Sequence, residues 1–249
     1  HAKASLGSAS LAERGKRQRS VVWRILQWVV LLVAIIVAIP LILVPVYAVV
    51  NPVSTLMLSR YVTFQPVTRE WRDIDQISDR IKTAVILSED GQFCRHDGVD
   101  WGALRNEIAN WQAGQGARGA STITMQVAKN LFLWNDRSVV RKAIEVPLAI
   151  YIDFVLPKQR IFEIYLNIAE WGPDGAFGIE AGANRAFGTS AESFTWERAT
   201  LLAVTLPNPH VRSPARPTPG LRRVAGIVTA RAQQFSSLAS CVFDRPAQL

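Results

Sequence analysis

Residues 25–50, "ILQWVVLLVAIIVAIPLILVPVYAVV", contain no charged side chain. Crossing a hydrocarbon core of ~30 Å takes about 20 helical residues, and this run exceeds that. A secretory h-region is shorter, about 7–15 residues, and no small-residue cleavage site follows the run. The spacing predicts a transmembrane helix over 25–50, with Pro40 and Pro45 kinking it or marking its outer end. Lys3, Arg14, Lys16, Arg17, Arg19 and Arg24 precede it, against Glu13 alone. Such a positive flank faces the cytoplasm. Three parts follow: a basic cytoplasmic tail over 1–24, disordered over its first twenty positions; the span over 25–50; and an extracytoplasmic domain over 51–249.

A net charge of +8 and a pI near 10 suggest an anionic partner: nucleic acid, anionic lipid or a phosphorylated substrate. Cys94 and Cys241 are the only cysteines, which predicts no disulfide framework and no paired metal motif. Cys94 is expected as a small buried apolar residue. Residues 51–75 read as a connector with short extended pieces. Beyond them the apolar spacing is helical. Ile77, Ile81 and Val85 share one face of "ISDRIKTAVILSED", with Ile86 on its flank, and Trp101, Leu104, Ile108 and Trp111 one face of "VDWGALRNEIANWQ". Ser121 or Thr122 caps a helix reaching to about Trp134. The next helix carries Pro147 as a kink, and Pro157 suits the first turn of the one after. "FGIEAGANRAF", "TWERATLLAVTLP" and "GLRRVAGIVTARAQQF" complete a mainly α chain. The glycine- and alanine-rich "QAGQGARGAS" reads as a flexible linker or an active-site lid. It lacks the GK[ST] of a phosphate-binding loop.

The chemistry concentrates behind the apolar "TAVILS". "EDGQFCRHDGVD", residues 89–100, carries the carboxylates of Glu89, Asp90, Asp97 and Asp100. Downstream stand Lys129, Arg137, Arg141 and Lys142, and then Glu145. Arg141 and Glu145 lie one helical turn apart and share a face. Taken singly, Glu89 is a solvated helix-end carboxylate and the Arg141–Glu145 pair a surface salt bridge. Taken together, they suit a carboxylate base working with an anionic leaving group. Desolvation raises a carboxylate's pKa and fits it to take a proton from a sugar hydroxyl. Clustered cations stabilise a departing phosphate.

"EDGQFCRHDGVD" resembles the first motif, E-D-x-x-F-x-x-H-x-G-x-D, of the peptidoglycan glycosyltransferases. "GASTITMQ" resembles their second, G-x-S-T-I-T-Q-Q, and "RKAIE" their third, R-K-x-x-E. "KQRIFEIYLNIAEWG" and "RRVAGIVTAR" resemble the fourth and fifth. The resemblance covers roughly residues 65–235, in the family's order. Met125 replaces the first Gln of the usual pair, and Phe162 stands where Leu is usual. No transpeptidase S-x-x-K motif is present, as in the monofunctional type.

The resemblance implies a mainly α fold: a lysozyme-like, two-lobed glycosyltransferase domain with a smaller apolar lobe against the membrane, preceded by one transmembrane helix. It implies polymerisation of lipid II into β-1,4 glycan strands by inverting transfer from a polyprenyl-pyrophosphate donor. Glu89 would be the general base. Lys129 and Arg137 would clamp the pyrophosphate, with Glu145 positioning that clamp or a divalent cation (Mg or Mn). Asp90, Ser121, Thr122, Gln126, Asn130, Arg141 and Lys142 would shape the substrate site. Phe93, His96, Asp97 and Asp100 would fix the first motif's shape. Lys142 is expected to point away from Arg141, toward headgroups or solvent. No organic cofactor is implied. The implied partners are lipid II, the nascent strand, membrane lipid and other cell-wall synthesis or division proteins, with no nucleic acid. The implied location is the cell inner membrane, single-pass, with a periplasmic catalytic domain. Three rivals remain. A membrane-anchored muramidase would need Glu89 but not the cations. A nucleic-acid-binding membrane protein would line a surface with its basic groups. A non-catalytic division scaffold would lack Glu89, Glu145 or Lys129.

Overall fold

The computed structural model describes residues 2–115, 119–136, 138–245 and 247–248, with side chains described from Val22 onward except at Trp111. Arg137 and the centre of "QAGQGARGAS" lie outside the described residues. The chain divides into two compact units, one ending at Pro45 and the other starting at Val46.

The first unit is formed by one helix, α1 (Ala2–Val46), whose last residue already belongs to the second. Its segment Val22–Val46, with mean hydropathy 3.3, is long and apolar enough to cross a membrane. Two expectations are corrected here. The basic tail continues the helix instead of being disordered, since Ala, Leu, Lys, Arg and Glu are good helix formers and extension needs no new nucleus. The helix also stops at Val46, short of Val50. Pro45 lies in its last turn, and the amides of Val49 and Val50 both bond the Val46 carbonyl in a tight turn.

The second unit is mainly helical. Its helices are α2 (Thr55–Val62), α3 (Asp79–Glu89), α4 (Trp101–Gln112), α5 (Ile123–Phe132), α6 (Val139–Val155), α7 (Lys158–Ile168), α8 (Ile179–Phe187), α9 (Trp196–Ala203) and α10 (Pro219–Gln234). Short 3-10 helices cover Ile74–Gln76 and Ser236–Val242. A small sheet of β1 (Thr68–Arg69), β2 (Glu170–Gly172) and β3 (Ala176–Phe177) has the order β1-β3-β2. β1 runs parallel to β3, and β2 antiparallel to it. Strands of two or three residues are too short to register as alternation in a sequence. Helix α2 also escaped the sequence reading; Ser54 caps it by accepting from the Met57 amide.

The core forms where α3 packs on α9 and α10, and where α5 packs on α6 and α7. "TAVILS" is the buried body of α3, with Ala84, Val85 and Ile86 wholly enclosed. Phe162 lies between Phe93 and Tyr165, at ring-centroid distances of 5.8 and 6.3 Å. Met125 is also fully buried, so the replaced Gln position is a packing position. Helix α4 departs from its expected role. Trp101 and Ile108 are half exposed, and Val139, Val140 and Phe154 of α6 are largely exposed. Pro157 is the N-cap of α7 rather than part of its first turn. After the span, Arg160 of α7 donates to the Tyr47 and Val50 carbonyls and to Asn51 Oδ1. Arg69 donates to the Pro52 carbonyl.

Cys94 and Cys241 form a disulfide across a sequence separation of 147. This corrects the reading of Cys94 as a small apolar filler; two isolated cysteines carry no spacing signal. The bond ties the first-motif loop to the C-terminal segment, which is held again by Gln159 Nε2 to Asp244 Oδ1 and by the Gln248 amide to Asp79 Oδ2. Lys82 pairs with Asp79 at 2.7 Å, and this pairing and the amide outweigh burial, so the Asp79 pKa lies below the usual carboxylate value. Loss of a disulfide closing so long a loop typically costs about 2–4 kcal/mol. The Cys94→Ser/Cys241→Ser variant is expected to lose stability in that range, read by urea unfolding of wild type and variant.

Candidate active site

Helix α3 ends at Glu89, which brings this carboxylate from the core to within hydrogen-bond reach of Gln126 on α5. Asp90, the next residue, is buried and structurally engaged. Both its oxygens meet His96 Nε2, at 3.0 and 3.1 Å, and Oδ2 accepts from the Ile123 amide at 2.9 Å. Asp90 thereby pins the start of α5 beside Glu89. Thr122 caps α5 by accepting from the Met125 amide, and its hydroxyl donates to the Gly98 carbonyl at 2.6 Å. Gly98 has φ +85°, and a Cβ there would meet the Ala149 carbonyl oxygen at 2.5 Å. That close approach and left-handed backbone explain the motif's glycine. Lys158 of α7 closes the arrangement from behind, donating to the His96 carbonyl and to Asp153 Oδ1, both at 2.6 Å. Its ammonium also lies 4.6 Å from the centre of the Phe93 ring. Asp100 caps α4 through the Ala103 amide, whereas Asp97 is exposed.

Helix α5 presents Gln126, Lys129 and Asn130 to a cavity of about 270 Å³, which Thr55, Tyr165 and Asn208 also line. The Gln126 amide donates to Glu89 Oε2 at 3.2 Å. The Tyr165 hydroxyl donates to Gln126 Oε1 at 3.3 Å, which fixes that amide's orientation. Burial raises the Glu89 pKa. The Gln126 bond, Arg212 and Lys129 offset part of the rise, and Asp90 adds to it. Burial, together with the charges of Glu89 and Asp90, holds the Tyr165 hydroxyl protonated well above its ordinary range. Tyr165 is a donor here, not a base.

The cations form a second cluster. Glu145, buried on α6, accepts from Arg141 Nη1 at 2.5 Å and from Lys142 Nζ at 3.0 Å. Lys142 also donates to Ser121 Oγ at 2.6 Å. This corrects the expectation that Lys142 points away. The one-turn geometry lets positions 141 and 142 converge on 145 from either side. Arg141 Nε is buried without a hydrogen-bond partner, with Asp136 Oδ1 3.8 Å away. Lys129 makes no ion pair among the described residues. Burial lowers its pKa, Arg141 and Lys142 lower it further, and Glu145 and Glu89 oppose them. One electrostatic field thus joins Glu89, Lys129 and the Arg141–Lys142–Glu145 group. An unsatisfied guanidinium donor suits an anion. A divalent cation fits poorly: each Glu145 oxygen already meets a cation, and no cluster of three metal-binding side chains occurs among the described residues.

Two participants carried no separate signal in the sequence. Tyr165 sits inside the fourth motif without an assigned role. Arg212 comes from the loop after α9, where its Nη1 donates to the Val204 carbonyl at 2.7 Å. A desolvated carboxylate in one electrostatic field with grouped cations is an arrangement that can take up a proton beside an anionic group. A sequence profile described as Transglycosylase matches residues 56–233. The biosynthetic peptidoglycan transglycosylase of Rhodopseudomonas palustris strain TIE-1 is 54% identical over 210 residues, 84% of this chain and 89% of its own. Its namesake in strain HaA2 is 53% identical over 211 residues, covering 84% and 93%. The one from Nitrobacter hamburgensis is 52% identical over 215 residues, covering 86% and 95%. The chain belongs to the transglycosylase family.

Proposed function

We propose that the chain is a peptidoglycan glycosyltransferase that polymerises lipid II into β-1,4 glycan strands. The observation that carries this reading is the desolvated Glu89, held by Gln126, in one electrostatic field with Lys129. Glu89 takes the proton from the 4-hydroxyl of the acceptor's N-acetylglucosamine as that oxygen attacks the donor's anomeric carbon. The bond from that carbon to the pyrophosphate oxygen breaks, and configuration inverts. A single displacement needs one base and no covalent carboxylate intermediate. Lys129 and Arg137 receive the charge that develops on the pyrophosphate. Arg141 and Lys142, aligned by Glu145, hold its other oxygens. Ser121 orients Lys142, while Asp90 and Thr122 position the two helices. Asn130 lines the cleft for sugar contacts. No step runs through a divalent cation.

The chain is anchored by its apolar helix in the cell inner membrane, with the catalytic unit in the periplasm. The basic flank supports that orientation, and a disulfide fits an oxidising compartment. The exposed apolar side chains of α4 and α6 suit contact with lipid, as in the family's smaller lobe of the lysozyme-like fold. Lipid-tailed substrates then meet the enzyme in one plane. Other cell-wall synthesis or division proteins are partners consistent with this location. Grouping of cations around carboxylates argues against a nucleic-acid surface, and the presence of Glu89, Glu145 and Lys129 against an inert scaffold.

Incubation with lipid II, and separately with preformed glycan strands, tests the reading against a muramidase. Polymer from lipid II and intact strands are expected; strand cleavage without polymer would reject it. Removal of residues 1–45, which spares the segment held by Arg160, should leave activity in detergent but weaken membrane binding to what the apolar side chains of α4 and α6 supply. Persistent full membrane binding would refute the tether. Arg212 favours the ionised form of Glu89, so Arg212→Ala should raise that pKa further. Because the base works deprotonated, the acid limb of the pH–rate profile is expected to move to higher pH. An unmoved limb would remove Arg212 from the site.

A further inference from the structure

The cavity lined by Gln126 and Lys129 does not stand alone. Pro209 and His210 line both that cavity and a second depression of about 380 Å³, whose wall includes Arg185 and Arg212. Residues 211–213 continue into a third, of about 300 Å³, bordered by Arg216. The second and third depressions are lined by Arg185, Arg212 and Arg216 and by no carboxylate, while His210 at their edge already meets Glu170 Oε2 at 3.0 Å. Arg185 reaches Asp174 at 2.9 Å on an exposed rim, and Arg216 makes no ion pair among the described residues. Arg212 belongs to both regions, since its charge also acts on Glu89.

We propose that this basic groove binds the acidic peptide branches of the glycan chain. The inference rests on the glycosyltransferase reading and extends it from the sugars to their substituents. Each muramic acid carries a lactyl-linked peptide with free carboxylates, so a strand leaving the cleft presents negative charge at regular intervals. Single exposed charge pairs contribute little, but several engaged along one strand add up and are weakened by salt. Ground-state binding of this kind changes half-saturation, not turnover.

The test compares lipid II bearing free stem carboxylates with lipid II whose carboxylates are amidated, using the full chain in detergent at low salt. For the wild type, amidation is expected to raise the half-saturating concentration by about fivefold, the effect of two exposed charge pairs. Arg185→Gln/Arg216→Gln should show a similar rise with the acidic substrate, less than about twofold with the amidated one, and unchanged turnover. Arg216→Gln alone, which breaks no ion pair, should show part of the same selective effect. Equal changes with both substrates, or a wild type blind to amidation, would overturn the proposal. So would loss of binding to phosphatidylglycerol–phosphatidylcholine vesicles without peptide discrimination, which would assign the arginines to the membrane. If the wild type polymerises neither substrate, the glycosyltransferase reading itself fails and the groove's assignment with it.

Discussion

Glu89→Gln should abolish polymerisation while leaving the fold intact. The amide matches the carboxylate in shape and still offers an oxygen to Gln126, but it cannot take the acceptor's proton. Losing a general base typically costs ~10²–10⁴ in rate. The wild-type pH profile carries the same information. A free glutamate titrates near pH ~4.3, and burial raises the Glu89 pKa. The active form is deprotonated, so rate should fall as pH drops through that raised value. The variant's residual rate should lack this limb. An unchanged unfolding midpoint with a rate above about a tenth of wild type would remove Glu89 as the base.

The second large effect is expected at Lys129. As the anomeric bond breaks, negative charge gathers on the pyrophosphate. A cation fixed beside it in a desolvated site interacts more strongly with the transition state than with the substrate. Removing one such electrostatic group costs ~10²–10³ in turnover elsewhere. Lys129 makes no ion pair among the described residues, so its charge is free to face substrate. Lys142 is different: Glu145 and Ser121 hold it, and its side chain is 30% exposed. Lys142→Ala should mainly raise the half-saturating concentration, and moderate salt should mimic it. Arg137→Ala should resemble Lys129→Ala. Initial rates against lipid II concentration separate these cases. A larger turnover loss in Lys142→Ala than in Lys129→Ala would reverse the assignment of the clamp.

The longer helices were legible because their apolar residues repeat at helical spacing and their caps are polar. Thr122 ahead of α5 and the buried run ahead of Glu89 were both read this way. The pieces that escaped lack such a repeat. Strands of two or three residues show no period, and a disulfide between two cysteines 147 residues apart shows no spacing. Helix α4 has the expected stripe, but sequence periodicity cannot say whether a stripe meets protein or solvent. Its half-exposed Trp101 and Ile108 resolve the point. In the site, residues in ordered motifs could be named in advance. Their division of labour could not. Asp90 turned out to hold His96 and the Ile123 amide, and Lys142 to converge on Glu145. Arg212 reaches the neighbourhood of Glu89 from a loop more than a hundred positions away, a proximity only the folded chain creates.

The most direct measurement is a side-by-side reaction of the wild type and Glu89→Gln with lipid II, counting both glycan polymer and released polyprenyl pyrophosphate. Base-assisted inverting transfer predicts one pyrophosphate released per glycosidic bond formed by the wild type, a polymer that a muramidase digests, and neither product above background from Glu89→Gln. Polymer formation by a folded Glu89→Gln at the wild-type rate, or pyrophosphate release by the wild type without polymer, would contradict it.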